Sequence, residues 1–316
     1  MYIKEKVSKL FGLAAPDNYM VLALPTPVAE TPLRNPDYVF RRDLIRDIRA
    51  FFLSGETMMQ LYGYSGAGKS SVVEQYHAAT NLPLLTITAH PDMLKSDLIG
   101  KFIMTSSGME WRDGPLVKAA RHGWSVLIDE FNLLDPAVGT SLNGWLEGRG
   151  EFIEEIGEMV RPKEGFRVFA ASNPADVSKG HLGRNNQDAS NDDRAWFAWV
   201  DYPTKEEEMP LVEKALSGMD DSSRKVFASN MVDVANKIRL CYTSNGEQEL
   251  SVTMSTRTLL RWAKMTLQFA GAPSAVHYAL ERALTFRPSI EQHEREAIHE
   301  IVHQVFGQPY QASRTF

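Results

Sequence analysis

Residues 63–70 read GYSGAGKS and match the pattern G-x-x-x-x-G-K-[ST]. The stretch before it, TMMQLYGY (57–64), has the residues of a buried strand, and KSSVVEQYHAAT (69–80) continues as a helix. A strand, a glycine-rich turn and a helix N-terminus in that order make a phosphate cradle. The glycines let backbone N–H groups turn inward where a side chain would block a phosphate's approach. The helix end adds its partial positive charge. In this reading Gly63, Tyr64, Ser65, Gly66, Ala67, Gly68, Lys69, Ser70 and Ser71 are the nucleotide-binding residues. Lys69 reaches the β- and γ-phosphates, and the Ser70 hydroxyl goes to Mg²⁺.

Further along, SVLIDEFN (125–132) is an apolar strand ending in two acids. A magnesium held by Ser70 needs a second protein ligand sphere, and Asp129 at a strand's C-terminal end supplies it. Glu130 is then placed to polarise a water against the γ-phosphate; the alternative is a strand capped by two solvated acids. FAASNP (169–174) ends another strand in Asn173, whose amide either holds the attacking water or reads the γ-phosphate, or merely stops the strand. In SNDDRAWFAWVDYP (190–203), Arg194 opens an aromatic strand behind two aspartates. It either pairs with Asp192 or Asp193 in a solvated turn, or is a cation presented at an edge to something outside its own subunit.

Between these points strands and helices alternate. LPLLTITA (82–89) is a strand, GPLVKAARHG (114–123) a helix, and PAVGTSLNGWLEG (136–148) one further helix. FRVFAASNP (166–174) and AWFAWVDYP (195–203) are the last strands. Such alternation predicts a parallel sheet covered by helices on both faces. Beyond Pro203 strand signals stop, and amphipathic patterns such as EEEMPLVEKAL and TLLRWAKMTLQFA predict a smaller all-helical domain. The expected division is 1–36 as an N-terminal helix and Pro-rich connector, 37–204 as the α/β core, and 205–316 as the helical domain. Ile3, Val7, Leu10 and Phe11 follow helical spacing, so the N-terminal segment reads as a short amphipathic helix that docks on something.

The chain has 316 residues, 43% apolar and 23% charged, which suits a soluble protein with more than one core. A net charge of −6 with no long basic run argues against a protein that neutralises many phosphates along DNA or RNA. The single cysteine, Cys241, excludes an internal disulfide and reads as a small buried hydrophobe. No apolar stretch reaches the ~20 residues that span a bilayer, and the N-terminus lacks the continuous apolar segment of a signal peptide. A cytoplasmic location and no membrane partner are expected.

With the cradle, Asp129–Glu130, Asn173 and Arg194 in this order, the chain resembles the AAA+ ATPases. SDLIGKF (96–102) followed by GPLVKAARHGWSVLIDEFN (114–132) is similar to the MoxR-like branch. KLFGL (9–13), NPDYVF (35–40), GYSGAGKSSVVEQ (63–75) and GRNNQDASNDDR (183–194) look like the CobS-type ATPase subunits of cobaltochelatases. The DRAW segment departs from them by one residue between arginine and tryptophan. The resemblance implies a P-loop AAA+ core with a helical lid, using ATP and Mg²⁺. It implies a homo-oligomeric ring, expected to be a hexamer, that hydrolyses ATP between subunits and drives a partner protein. That partner is a chelatase or VWA-domain subunit if the CobS likeness extends to function, and another client if it does not. Arg194 is then the arginine finger acting on the next subunit, with Arg184 as the competing candidate. Arg257, in SVTMSTRTLLRWA (251–263), is a second sensor acting in its own subunit. Thr88 falls where relatives place a polar residue that restrains the catalytic glutamate, or is a plain strand threonine, and Trp111 and Arg112 lie in the branch's extra insertion, where Trp111 is equally a core residue. HEIVH (299–303) matches the zincin helix pattern, but no His, Asp or Glu follows His303 to complete such a site.

Overall fold

The computed structural model describes residues 2–173, 194–243, 250–307 and 310. By its internal contacts the chain divides into two units, residues 1–64 with 69–200, and residues 65–68 with 201–316.

The first unit is built on a five-stranded sheet. Its strands are β3 (Met58–Tyr62), β4 (Leu84–Thr88), β7 (Ser125–Asp129), β10 (Arg167–Ser172) and β11 (Trp196–Trp199). They lie in the order β11–β3–β10–β7–β4, and every pairing is parallel. Parallel strands need covered faces, and these strands read as apolar runs for that reason. Within β10, Val168 and Ala170 face one core with Leu116, Val117 and Trp145. Phe169 faces the other, where its ring lies 5.3 Å from Phe51 and 5.4 Å from His77. The covering helices include α2 (Arg42–Ser54), α3 (Lys69–Thr80), α4 (Lys95–Ile99) and α5 (Pro115–His122). The parallel α/β core with helices, followed by a helical region, is the fold expected from the sequence.

Three local expectations differ from the structure. Only Val7–Phe11 of the N-terminal segment is helical (α1); Ile3–Lys6 is a strand, β1. It pairs antiparallel with β2, Met20–Ala23, inside the stretch read as a connector. The sequence IKEK alternates half-buried and exposed, a period of two that the four apolar positions at helical spacing concealed. The docking itself occurs: Phe11 stacks on Tyr76 of α3 with ring centroids 5.3 Å apart. The single helix read over 136–148 is two, α6 (Pro136–Ser141) and α7 (Asn143–Leu146). Thr140 and Ser141 turn their hydroxyls back onto Pro136 and Val138 carbonyls, competing with the helix they sit in. The insertion at 101–113 belongs to an antiparallel hairpin, β5 (Gly100–Thr105) and β6 (Gly108–Asp113), and a second hairpin joins β8 (Glu151–Ile153) to β9 (Glu158–Val160).

The second unit is helical: α8 (Lys205–Ala215), α9 (Asp221–Thr243), α10 (Thr256–Gln268), α11 (Ala275–Leu280) with a π turn over Glu281–Thr285, and α12 (Gln292–Phe306). Their apolar stripes meet around Trp262, Leu259, Ile238 and Leu284. One ion pair is sealed into this unit. Arg239 donates to both carboxylate oxygens of Glu208 at 2.7 and 2.8 Å, and Glu208 is wholly buried. Thr256 Oγ1 donates to Glu208 Oε1, and Arg239 Nε donates to the Met254 carbonyl. In HEIVH, His299 is buried: its ring stacks on Tyr310 at 3.8 Å and bonds His277 nitrogen to nitrogen at 2.8 Å. His303 is exposed. Burial, then the neighbouring His277 and Arg295 charges, push His299 down to about 3. Among the described residues no helix is long and apolar enough to cross a membrane.

Candidate functional site

The strand ends place the site. Ser172 of β10 pairs with Tyr62 of β3, and Gly63 N–H donates to the Ser172 carbonyl at 3.3 Å. On the other side of β10, Ala170 pairs with Ile128, so β7 reaches Asp129 as β3 reaches the cradle. Gly63 has no alternative here, because a Cβ would fall 2.0 Å from the Val200 carbonyl oxygen. Gly68 has φ +95°, a backbone conformation that side-chain-bearing residues rarely adopt, and open space where a Cβ would stand.

Lys69 is buried, and its ammonium is surrounded by acceptors. It donates to the Gly63 and Tyr64 carbonyls at 2.8 and 2.9 Å and to Asn173 Oδ1 at 2.6 Å. The Asn173 amide in turn donates to Glu130 Oε2 at 2.7 Å. Asn132, which sequence reasoning did not single out, holds Asn173 by donating to its carbonyl at 3.1 Å. The signal was present, since Asn132 is a polar residue two places beyond an acid pair at the end of a buried strand. Lys69, Asn173 and Glu130, separated by up to 104 positions, are thus one hydrogen-bonded chain.

Glu130 has φ 53° and ψ 40°, the left-handed region, and its N–H donates to Asp129 Oδ1 at 3.0 Å. Burial, and then the Asp129 charge, push the carboxyl of Glu74 on α3 up. Asp129 and the Ser70 hydroxyl are hard oxygen donors, a set that suits Mg²⁺ rather than a soft metal. The buried ammonium of Lys69 and this donor set are of the residue types that a magnesium-bound nucleotide needs.

Thr88 ends β4 exposed, in register with Asp129. Trp111 is half-buried against the core, its indole N–H on Asp113 at 2.8 Å, while Arg112 is exposed. Arg257 is exposed in the first turn of α10, in the second unit. Arg184, Asp192 and Asp193 lie outside the described residues.

Arg194 stands elsewhere. Trp196 of β11 pairs with Met59, so Arg194 is level with Thr57, where the strands begin. The cradle begins at Gly63, six residues and roughly 20 Å further along β3. Arg194 Nε donates to Glu147 Oε1, and Arg149 bonds Glu147 Oε2 at 2.5 Å. The Arg194 bond, the largest cause, holds the Glu147 carboxyl below the usual range.

Residues 59–194 match the AAA domain of the dynein-related subfamily, and residues 214–305 match the CbbQ/NirQ/NorQ C-terminal domain. The chain belongs to the MoxR-like AAA+ ATPases. It is similar to the aerobic cobaltochelatase subunit CobS of Sinorhizobium sp, 28% identical over 289 residues, which is 88% of this chain and 84% of that one. The denitrification regulatory protein NirQ of Stutzerimonas stutzeri is 28% identical over 249 residues, 77% of this chain and 85% of that one. Protein CbbQ of Hydrogenophilus thermoluteolus is 30% identical over 184 residues, 57% of this chain and 65% of that one. A MoxR-like AAA+ ATPase binds nucleotide, usually with Mg²⁺, and ATP hydrolysis is the activity of the family.

Proposed function

We propose that this AAA+ ATPase hydrolyses ATP at a seam between copies of itself in a ring and uses the cycle to remodel a partner protein complex. Bound ATP·Mg²⁺ supplies an activated phosphoryl group and a divalent charge to steady it. The chain's own residues do the rest. Lys69 exchanges its loop carbonyls for phosphate oxygens, while Ser70 and Asp129 hold the metal. Glu130 takes a proton from the attacking water, and Asn173, already bonded to Glu130, orients that water. Arg257 reports lid position to the γ-phosphate of its own subunit. Arg194 acts on the next subunit, stabilising charge that develops on the transferred phosphoryl, an effect worth ~10³–10⁵ in rate.

The observation that carries this reading is the position of Arg194, level with Thr57 at the end of the sheet away from the cradle. No arginine side chain bridges roughly 20 Å, so a role in phosphoryl transfer for Arg194 requires a second subunit. The test mixes two inactive proteins, Arg194→Ala and Glu130→Gln. A seam that takes Arg194 from one and Glu130 from the other is complete, so hydrolysis returns. No recovery at any ratio would end the reading.

The match of residues 214–305 to the CbbQ/NirQ/NorQ C-terminal domain supports an activase-type client, and the likeness to CobS over 88% of the chain supports a chelatase complex. Capturing the client on ATP-loaded Glu130→Gln protein and identifying it by mass spectrometry separates the two.

A further inference from the structure

The loop after α7, residues Glu147–Gly150, is held with unusual tightness. Gly148 has φ +73°, and a Cβ there would fall 2.5 Å from Thr57 Oγ1. Gly150 also has φ +73°, and its Cβ would fall 2.0 Å from the Val160 carbonyl oxygen. The N–H groups of Arg149 and Gly150 both donate to the Gly144 carbonyl, at 2.8 and 2.9 Å. Two glycines in a conformation that other residues avoid let the backbone approach the Thr57 side chain and β9 closely. The product of that constraint is the placement of one carboxylate.

Glu147 lines a cleft of about 410 Å³, together with Gly55, Glu56, Thr57, Arg194 and Trp196. Its two oxygens are divided between two arginines, Arg194 on Oε1 and Arg149 on Oε2. The Arg194 and Glu147 side chains are 29% and 27% exposed, and Arg149 is 68% exposed. The bond to Arg194 is made by Nε, at the base of the guanidinium. A long, rotamer-rich side chain that must meet a phosphoryl group loses much of its rate to disorder unless its conformation is fixed beforehand.

We propose that Glu147 is a positioning residue for Arg194: it grips the finger at Nε and sets the direction in which the guanidinium leaves the subunit, while Arg149 steadies the carboxylate from its other side. This rests on the trans role of Arg194 proposed above. Glu147 lies beside Arg194, away from the cradle of its own subunit, and in this proposal acts only through Arg194, so its loss imitates loss of the finger on the same face.

The experiment is a set of mixtures read by ATP turnover, with nucleotide affinity and thermal melting as controls. Glu147→Ala keeps the wild-type affinity for ATP and loses about 100-fold in kcat, the scale of a misplaced catalytic group. Glu147→Gln, which retains an acceptor oxygen for Nε, loses about tenfold. Glu147→Ala mixed with Glu130→Gln recovers hydrolysis, because the Glu130→Gln subunit brings an intact Glu147–Arg194 pair to its neighbour. Glu147→Ala mixed with Arg194→Ala does not recover, because both lesions lie on the same face. Wild-type kcat in Glu147→Ala, or recovery with Arg194→Ala, overturns the proposal. If Glu147→Ala melts below the assay temperature, Glu147→Gln enters the same two mixtures with the tenfold loss as the signal. Failure of Arg194→Ala with Glu130→Gln to recover removes the trans reading itself. Success there with failure of Glu147→Ala plus Glu130→Gln removes only the role of Glu147.

Discussion

Lys69 Nζ donates to Asn173 Oδ1 at 2.6 Å, so the cation of the phosphate cradle is bonded to the end of the neighbouring strand. The same amide donates to Glu130, which joins the two ends of the proposed chemistry through a single side chain. A phosphate that takes Lys69 away from Asn173 also alters what holds Glu130. In the mechanism proposed above, this would couple nucleotide binding to readiness for hydrolysis through Asn173.

Replacing Lys69 by alanine removes the buried ammonium. Hydrogen bonds to charged groups contribute about 1.5–3 kcal/mol each, so ATP affinity is expected to fall by about 100-fold or more. Titration calorimetry measures it, and unchanged affinity would contradict the assignment of the cradle.

For Glu130→Gln the expected result is different. ATP affinity stays within a few-fold of wild type, while turnover falls by about 10²–10⁴, the usual weight of a general base. Asn173→Ala, which removes the donor to Glu130 and the acceptor of Lys69, is expected to lower turnover by about 10²-fold. Steady-state hydrolysis with parallel binding measurements separates the two effects.

The sealed pair in the helical unit gives a stability prediction. Glu208→Ala leaves the Arg239 charge buried with no carboxylate, an arrangement that costs about 3–5 kcal/mol. Denaturant titration followed by circular dichroism reads this loss. The exposed pair Lys6–Asp17 serves as the contrast, since its removal is expected to leave the unfolding midpoint unchanged.

A pH prediction comes from His77. It is wholly buried among Phe52, Tyr76 and Phe169, its Nδ1–H donates to the Val73 carbonyl, and burial pushes it down to about 4. The folded protein keeps this ring neutral where the unfolded chain binds a proton. Its contribution is therefore complete above pH 6.5 and is lost as pH falls toward 4. At pH 5 the loss is about 2 kcal/mol. His77→Leu is expected to shrink the difference in unfolding free energy between pH 7 and pH 5 by that amount.

The sequence was most informative where burial is two-sided. The runs MMQLY, SVLID and RVFAAS name their strands because parallel strands covered on both faces carry apolar residues at nearly every position. The cradle was legible because phosphate recognition by backbone N–H groups admits few residue types. Elements on the surface were harder to read. β1 and β2 are four residues each, and their pairing depends on a partner 14 or more positions away. The hairpin of β5 and β6 turns at Ser106–Ser107 and bears Met104 and Met109 on its exposed side, so no clean alternation announces it. The bond between Arg194 and Glu147 was not legible either, because the two residues are 47 positions apart and only the tertiary fold brings them close.

Glu130 carries a last consequence. Its left-handed backbone costs a side-chain-bearing residue on the order of 1 kcal/mol that a glycine escapes. Glycine at 130 would thus relieve the chain while deleting the carboxylate proposed to activate water. At this position drift toward a sturdier molecule and drift toward a dead one run in the same direction, and only selection on turnover holds them apart.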